Sequence, residues 1–583
     1  MSSIRRSSAV SAACALGALG VLCAGTGSVA CRGRGAPHGS RSGEVAAQRG
    51  GTFRYATLSD LAKLDPAVSF DTDTQPLLEL IFAGLVDYDA DGKIVGELAE
   101  RWETSADGRT YRFFLRHGVR MHDGADFTAD DVKRSAERTL DKDTQCPGAS
   151  FYEHLEGLAD YQAGRAPHLS GIVVESPHVV AFRLTAPDAA FLSVLALSFL
   201  RPVCKSAGER WDPSFEQKLC GAGPFRLATW DPGRFLRLER FDGYWQPGKP
   251  YLDAIELRMP VPPLTQRFQL ERGELDYMRE FSRPDVLHFR TDPQWSKYGV
   301  EEIEHSTYGD LLNNQVAPFD DVRVRRAVAA AIDRPHFRQY FEGLSHVTGH
   351  LLPPGVPGYD PDYEGQTYDL SRARALMAEA GYAYDPATGQ GGYPERIPYL
   401  TGEADSAIRY AQLLQYDLAQ IGLRLDIRVV SNSVYVTLAG RPKAVTMGFT
   451  GWNMDYPDPS DFFEPILTTR AIQPEGSENH AFYSNPRLDE LVENAHGELD
   501  EGKRLAMYRE AEHIVVDDAP WAFVYNPMRY ELFQPYVRGY RPHPVWLAYF
   551  RDVWIDDKAL HAARSPLEGA RGALGRLIPE AWR

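Results

Sequence analysis

Positive charge is in short supply in this chain: 63 Lys and Arg face 80 Asp and Glu, for a formal net charge of −17. Without a basic face there is nothing to neutralise a phosphate backbone, and nucleic acid is excluded as a partner. Long apolar runs are missing after the first thirty residues, so the body of the chain has no candidate membrane span and is expected to be soluble. Cysteine is scarce too. Cys14, Cys23 and Cys31 lie at the N-terminus, which leaves Cys146, Cys204 and Cys220. A Cys204–Cys220 disulfide is allowed in an oxidising compartment, but the odd count leaves the pairing open. Catalytic signatures are lacking as well: there is no Gly-x-Ser-x-Gly elbow, no phosphate-binding loop and no His-Glu-x-x-His, and His346-Val347-Thr348-Gly349-His350 lacks the Glu. Gly221-Ala222-Gly223-Pro224 lacks the Lys-Ser/Thr ending of a phosphate loop and reads as a turn. His117 and His122 have no Cys or Glu at metal-ligand spacing and read as surface or hydrogen-bonded core residues. No catalytic residue, metal or cofactor is expected.

What the chain does have begins with an export signal. Arg5 and Arg6 precede a mainly apolar or small-residue run over 9–22, followed by small residues up to Cys31, a run too short and too rich in Ala and Gly to span a membrane. Ser28-Val29-Ala30-Cys31 resembles the bacterial lipoprotein cleavage box, in which the Cys is lipidated. Ser28 replaces the usual Leu, so cleavage to a free protein stays open. Residues 31–50, rich in Gly, Arg and Ser, read as a flexible tether. At 583 residues the chain is too long for one core and divides into two or three lobes.

Strand and hairpin signals dominate the first half. Thr52-Phe53-Arg54-Tyr55-Ala56 alternates as a short strand, a helix is expected over 75–82, and Ala106-Asp107-Gly108-Arg109 turns a hairpin between 101–104 and 110–116. Thr128 with Asp131 has the spacing of a capping box and opens a helix with Val132, Ala136 and Leu140 on one face. Further strands are expected over 171–184, 225–228, 235–240 and 255–259. From about residue 313 helices and strands alternate. Helices are read from Pro318 to the stop at Asp333-Arg334-Pro335, over 371–380 and 407–421, with strands over 423–430 and 444–450. Two more helices follow, over 488–496 and 501–517, then strands over 522–525 and 553–555. This spacing predicts an α/β lobe, in which ligands bind beyond the carboxyl ends of the strands.

The loop after the 444–450 strand is the stretch richest in ligand-holding groups: Gly451-Trp452-Asn453-Met454-Asp455-Tyr456-Pro457-Asp458-Pro459-Ser460-Asp461. The prolines stiffen it. Asp455 between Trp452 and Tyr456 offers one fixed negative charge beside aromatic faces, an arrangement suited to a cationic or amine-bearing ligand. The same residues suit an exposed turn in which Asp455, Asp458 and Asp461 cap backbone amides.

Taken in order, Leu64-Asp65-Pro66, Leu98-Ala99-Glu100-Arg101-Trp102, Phe127-Thr128-Ala129-Asp130-Asp131-Val132, Phe241-Asp242-Gly243-Tyr244-Trp245, 318–334, 368–382 and 451–463 resemble the large solute-binding proteins of bacterial dipeptide and oligopeptide ABC importers. The likeness extends over 51–555. It implies an α/β, two-lobed periplasmic binding protein (Venus-flytrap) fold with an additional subdomain in the first lobe. On this reading 1–30 is the export signal, 31–50 the tether, 51–72, 190–310 and 525–556 the first lobe, 73–189 its subdomain, 311–524 the second lobe and 557–583 a C-terminal tail. The resemblance makes Asp455 the anchor of a peptide's α-amine, with Trp452, Asn453 and Tyr456 beside it and backbone pairing holding the rest of the ligand. It also implies ABC permease and ATPase partners, a membrane tether through Cys31, and a monomer. The family includes binders of nickel complexes, haem, opines and oligosaccharides, and a peptide sensor without transport has the same form. Arg409, Arg428 and Arg441 are available for the far carboxylate of a peptide.

Overall fold

Alternating burial along each strand sorts the chain into sheets that share few residues. In the computed structural model, which describes residues 46–208 and 210–563, Thr52–Ala56 lies parallel to Ala254–Arg258, and Phe235–Arg240 and Phe225–Asp231 continue the sheet antiparallel. The chain between its first two strands in sequence builds a separate antiparallel sheet ordered Ala99–Thr104, Thr110–Leu115, Val179–Arg183, Ile172–Ser176. The hairpin falls where the sequence places it. Helix Ala129–Leu140 lies nearby, and its capping box is present, with the Thr128 N–H donating to Asp131 Oδ2 at 3.0 Å.

The largest sheet runs Tyr277–Met278, Trp521–Phe533, Ser306–Leu312, Met447–Asn453, Arg396–Thr401, Arg424–Val429, and Gly299–Ile303 and Ser345–Val347 also pair with Trp521–Phe533. Period-two alternation assigns each residue to a face. Trp521 and Phe523 point into a core shared with Phe462, Phe463, Leu491 and Val515, while Ala522 and Val524 point into one shared with Val324, Val328, Tyr410 and Leu414. Helices therefore cover both faces, and the α/β class read from the sequence is the one observed. Among the described residues no helix is long and apolar enough to cross a membrane.

Several elements depart from the sequence reading. The helix expected from Pro318 starts at Val322, capped by Asp321, whose side chain accepts from the Arg323 N–H at 2.8 Å. That helix ends at Ala331, ahead of the expected stop at Asp333-Arg334-Pro335, and a second helix follows over Arg334–Tyr340 with Pro335 in its first turn, where the missing N–H has no helical partner. The strand near 522–525 runs on to Phe533, thirteen residues in all. Pro527 does not end it, since its free carbonyl accepts the Glu304 N–H at 2.9 Å. Trp521–Phe533 thus pairs first with Ser306–Leu312 and then with Gly299–Ile303, so these two strands follow one another along its length.

Cys204 and Cys220 are joined by a disulfide with Cα atoms 5.3 Å apart, and Cys146 is free. This closes the choice the sequence left open. Burial pushes the Cys146 thiol up to about 12, which keeps it protonated and unreactive. Cross-linking residues 16 apart is worth about 3 kcal/mol through the unfolded chain. Reductant is therefore expected to lower the thermal midpoint, and Cys204→Ala with Cys220→Ala to lower it equally in the absence of reductant. An unchanged midpoint would show that the bond contributes nothing. The export signal, Cys31 and tail residues 564–583 lie outside the described residues.

Candidate functional site

Strand Met447–Asn453 carries Gly451, Trp452 and Asn453 further than the sequence suggests, so the loop proper begins at Met454. Gly451 is needed for a close approach. Tyr308, its ladder partner, lies where a Cβ on residue 451 would come within 2.2 Å of a ring carbon. Freed to cross the ladder, the Tyr308 ring stacks on Phe449 and Tyr525 at 5.6 and 5.5 Å. Its hydroxyl donates to Asn453 Oδ1 at 2.7 Å, and the Met454 N–H donates to the His305 carbonyl at 3.0 Å. The strand end is thereby locked in place.

The acids of the loop divide the work. Asp458 accepts from the Ser460 N–H at 2.9 Å and from its hydroxyl at 2.7 Å, and pairs with buried Arg504. Asp461 Oδ2 accepts from Trp452 Nε1–H at 3.1 Å and from the Asp455 N–H at 3.0 Å. Backbone capping thus falls to Asp458 and Asp461. The Asp455 carboxylate makes no hydrogen bond or ion pair among the described residues. Loss of hydration, with Glu478 nearby, pushes Asp455 up to about 7, and burial pushes Asp461 well above the usual carboxylate range. No Lys, Arg or His among the described residues pairs with Asp455, Asp461 or Glu478.

Tyr456 is buried in the core of the 51–259 region, where its ring meets Phe151 edge-on at 5.8 Å. It covers the loop rather than offering an open face. On the same side the Ala189 N–H donates to the His496 carbonyl at 3.0 Å, so residues from 149–189 close over this part of the large-sheet half.

Beside the loop lies a cavity of about 800 Å³ whose wall includes Asn453, Met454, His305, Ser306, Tyr308, Leu58, Asp73, Arg279 and His543; Trp452, Asp455 and Tyr456 are not among the residues lining it. Its volume lies within the range of ligand pockets. Asp455 follows Met454 directly. The sequence reading found Asn453 here but missed Arg279, Glu302, Glu304, His305 and Arg529, which also line the cavity. They come from segments distant in the chain on both sides of the loop, and the pairing of Tyr277–Met278 and Gly299–Ile303 with Trp521–Phe533 brings them together. The arginines held available for a carboxylate lie elsewhere: Arg428 pairs with Asp426 and Arg441 with Glu475, both on the surface, and none of the three lines the cavity. His122 proves to be a satisfied core histidine, its ring between the Gly223 carbonyl and the Gly221 N–H at 3.0 and 3.3 Å. Burial holds its pKa down at about 4.

The model of the bacterial extracellular solute-binding proteins, family 5 Middle, matches residues 93–474. The chain is 29% identical over 483 residues to a dipeptide-binding protein of Escherichia coli, covering 80% of this chain and 86% of that one. It is 30% identical over 527 residues to di/tripeptide-binding protein 2 of Pseudomonas aeruginosa, covering 85% and 92%. Among solved structures, the periplasmic binding protein DppA of Helicobacter pylori in complex with the peptide STSA superposes with a TM-score of 0.70 at 25% identity, covering 87% of this chain and 99% of that one.

Proposed function

The chain belongs to family 5 of the bacterial extracellular solute-binding proteins, and from that premise we propose that it captures peptides outside the cytoplasmic membrane and delivers them to an ABC permease driven by its ATPase. Asp455 is the anchor for the free α-amine. The observation that carries this reading is a half-buried carboxylate that no cation among the described residues pairs with, one residue along the chain from Met454 in the cavity wall. A ligand ammonium supplies the missing charge, and a charge-assisted hydrogen bond is strongest where water is excluded. Trp452 fixes Asp461 behind the anchor, Asn453 and Tyr308 hold the cavity wall, and Tyr456 seals the loop. Main-chain pairing with the ligand accounts for breadth of specificity.

In this reading the halves of the molecule, 51–72 with 190–310 and 525–556 on one side and 311–524 on the other, close by hinge motion about the paired strands Gly299–Ile303, Ser306–Leu312 and Trp521–Phe533. Residues 73–189 form the subdomain of the first half. Cys31 carries the lipid that holds the monomer at the membrane, and the protein binds without catalysis. Peptides are then expected to survive incubation intact while raising the melting temperature.

Binding should depend on pH with a definite sign. The ligand takes the ionised form of Asp455, whose pKa in the free protein is about 7 and falls once an ammonium is bound. Affinity for free peptides is therefore level above pH 7 until the amine itself deprotonates, and falls as pH drops below 7, with proton release on binding. Calorimetry at pH 5.5 and 7.5 in buffers of different ionisation enthalpy measures both. PH-independent affinity with no proton release would remove Asp455 as the anchor.

A further inference from the structure

The charges around the cavity do not balance. Arg279 is ion-paired with Asp73, and Arg529 with Glu531 at 3.4 Å. Neither arginine is left over for a negatively charged guest. On the acidic side, Glu280 accepts from Gln266 Nε2–H at 2.8 Å. Glu302 and Glu304 line the same cavity, and their carboxylates make no hydrogen bond or ion pair among the described residues. Two residues apart on an extended segment, they lie on one face, and Glu302 sits directly across the ladder from Arg529. Loss of hydration raises both above the usual carboxylate range, Arg529 opposing it at both and Arg279 at Glu304 without cancelling it.

Arg529 Nε–H, on a side chain only 10% exposed, faces Glu531 without a hydrogen bond, and the buried Nδ1 of His305 has no hydrogen-bond partner among the described residues. An extended peptide offers backbone carbonyls and N–H groups to such atoms. Its side chains are what remain for Glu302 and Glu304. A neutral side chain leaves those carboxylates unpaired, an acidic one repels them, and an ammonium or guanidinium satisfies them.

We propose that this cavity selects peptides bearing a basic side chain, with Glu302 and Glu304 as the carboxylates that receive it. The inference rests on the cleft being the peptide site, and it concerns a second positive charge, distinct from the α-amine at Asp455.

The test is calorimetry on the chain lacking its export signal, with Ala-Ala-Ala, Ala-Lys-Ala, Ala-Ala-Lys and Ala-Glu-Ala at low and high salt. The better lysine peptide is expected to bind roughly tenfold or more tighter than Ala-Ala-Ala, and Ala-Glu-Ala more weakly. Added salt should shrink the lysine advantage. In Glu302→Gln with Glu304→Gln, folding is checked by thermal unfolding, and the Lys-to-Ala affinity ratio should fall to about one. Equal affinities for the Lys and Ala peptides in the unsubstituted protein, or a ratio that survives the double substitution, overturn this inference and leave the peptide site standing. Absence of binding by the whole panel overturns both.

Discussion

Asp455→Asn is expected to weaken binding of free peptides by at least about tenfold and to leave the weak binding of their N-acetylated counterparts unchanged. The side chain keeps its size, so the loop, whose amides are capped by Asp458 and Asp461, has no reason to move. What disappears is one member of a desolvated charge pair, and truncating such a pair costs about 2–5 kcal/mol. The unliganded protein should respond in the opposite direction. With its folded pKa raised from 3.8 to about 7, Asp455 binds a proton across that interval that the unfolded chain has released. Its contribution to stability is therefore greatest below pH 4 and is lost as pH rises to 7. Asn removes that loss, and at pH 8 the variant should melt at a higher temperature than the parent. Weaker binding with higher stability marks a group retained for its ligand rather than its fold. Equal affinity for free and acetylated peptides in the parent would discard the amine anchor, whatever the stability result.

Arg551→Met should produce the largest loss of stability. Arg551 lies in the C-terminal segment, 7% exposed, and its guanidinium joins Asp87 at 2.9 Å, Glu79 at 3.3 Å and Glu97, while its Nε–H donates to the Glu79 carbonyl at 2.7 Å. All three carboxylates are buried, and Trp546 Nε1–H caps Asp87 at 2.9 Å. Arg201, paired with Glu79, is the other cation of the cluster. Even with both arginines in place, burial raises Glu79 to about 7. Met fills the volume but leaves three carboxylates to one arginine, and breaking a buried pair in this way costs about 3–5 kcal/mol. The pH dependence follows from the sign of the shift. Carboxyls raised in the folded state are protonated at low pH whether the chain is folded or not, so the deficit is smallest there and grows as pH rises past about 7, where Glu79 of the parent ionises. Denaturant midpoints at pH 4.5 and 8 measure it. A deficit under about 1 kcal/mol at pH 8, or one equal at the two values, would contradict this account.

How far the sequence carried the reading depended on whether a signal was local. The Thr128 capping box, the Ala106–Arg109 hairpin turn and the alternation of helices and strands after residue 313 are local, and each has its counterpart in the structure. Asp461 accepting from Trp452 and from the Asp455 N–H is local too, all three lying in one short stretch. Misreadings came where one residue type serves two ends. Proline marks a stop in sequence, yet Pro527 sits inside a thirteen-residue strand, because there only its missing N–H matters. Trp452 and Tyr456 looked alike as aromatic walls, and packing separated them, one bonded to Asp461 and the other buried against Phe151. The cavity wall was illegible: Arg279, Glu304 and Arg529 carry no spacing that announces a shared surface, and the ladders of Tyr277–Met278 and Gly299–Ile303 with Trp521–Phe533 assemble them.

The central claim is that a ligand's ammonium completes the unpaired carboxylate at residue 455, and a crystal structure of the protein with a bound lysine-containing tripeptide tests it most directly. The account predicts the α-amine nitrogen about 2.8 Å from an Asp455 carboxylate oxygen, with the peptide extended along the cavity past Asn453 and Met454. An α-amine turned to solvent or held by another acid, with Asp455 still unpaired, would contradict it.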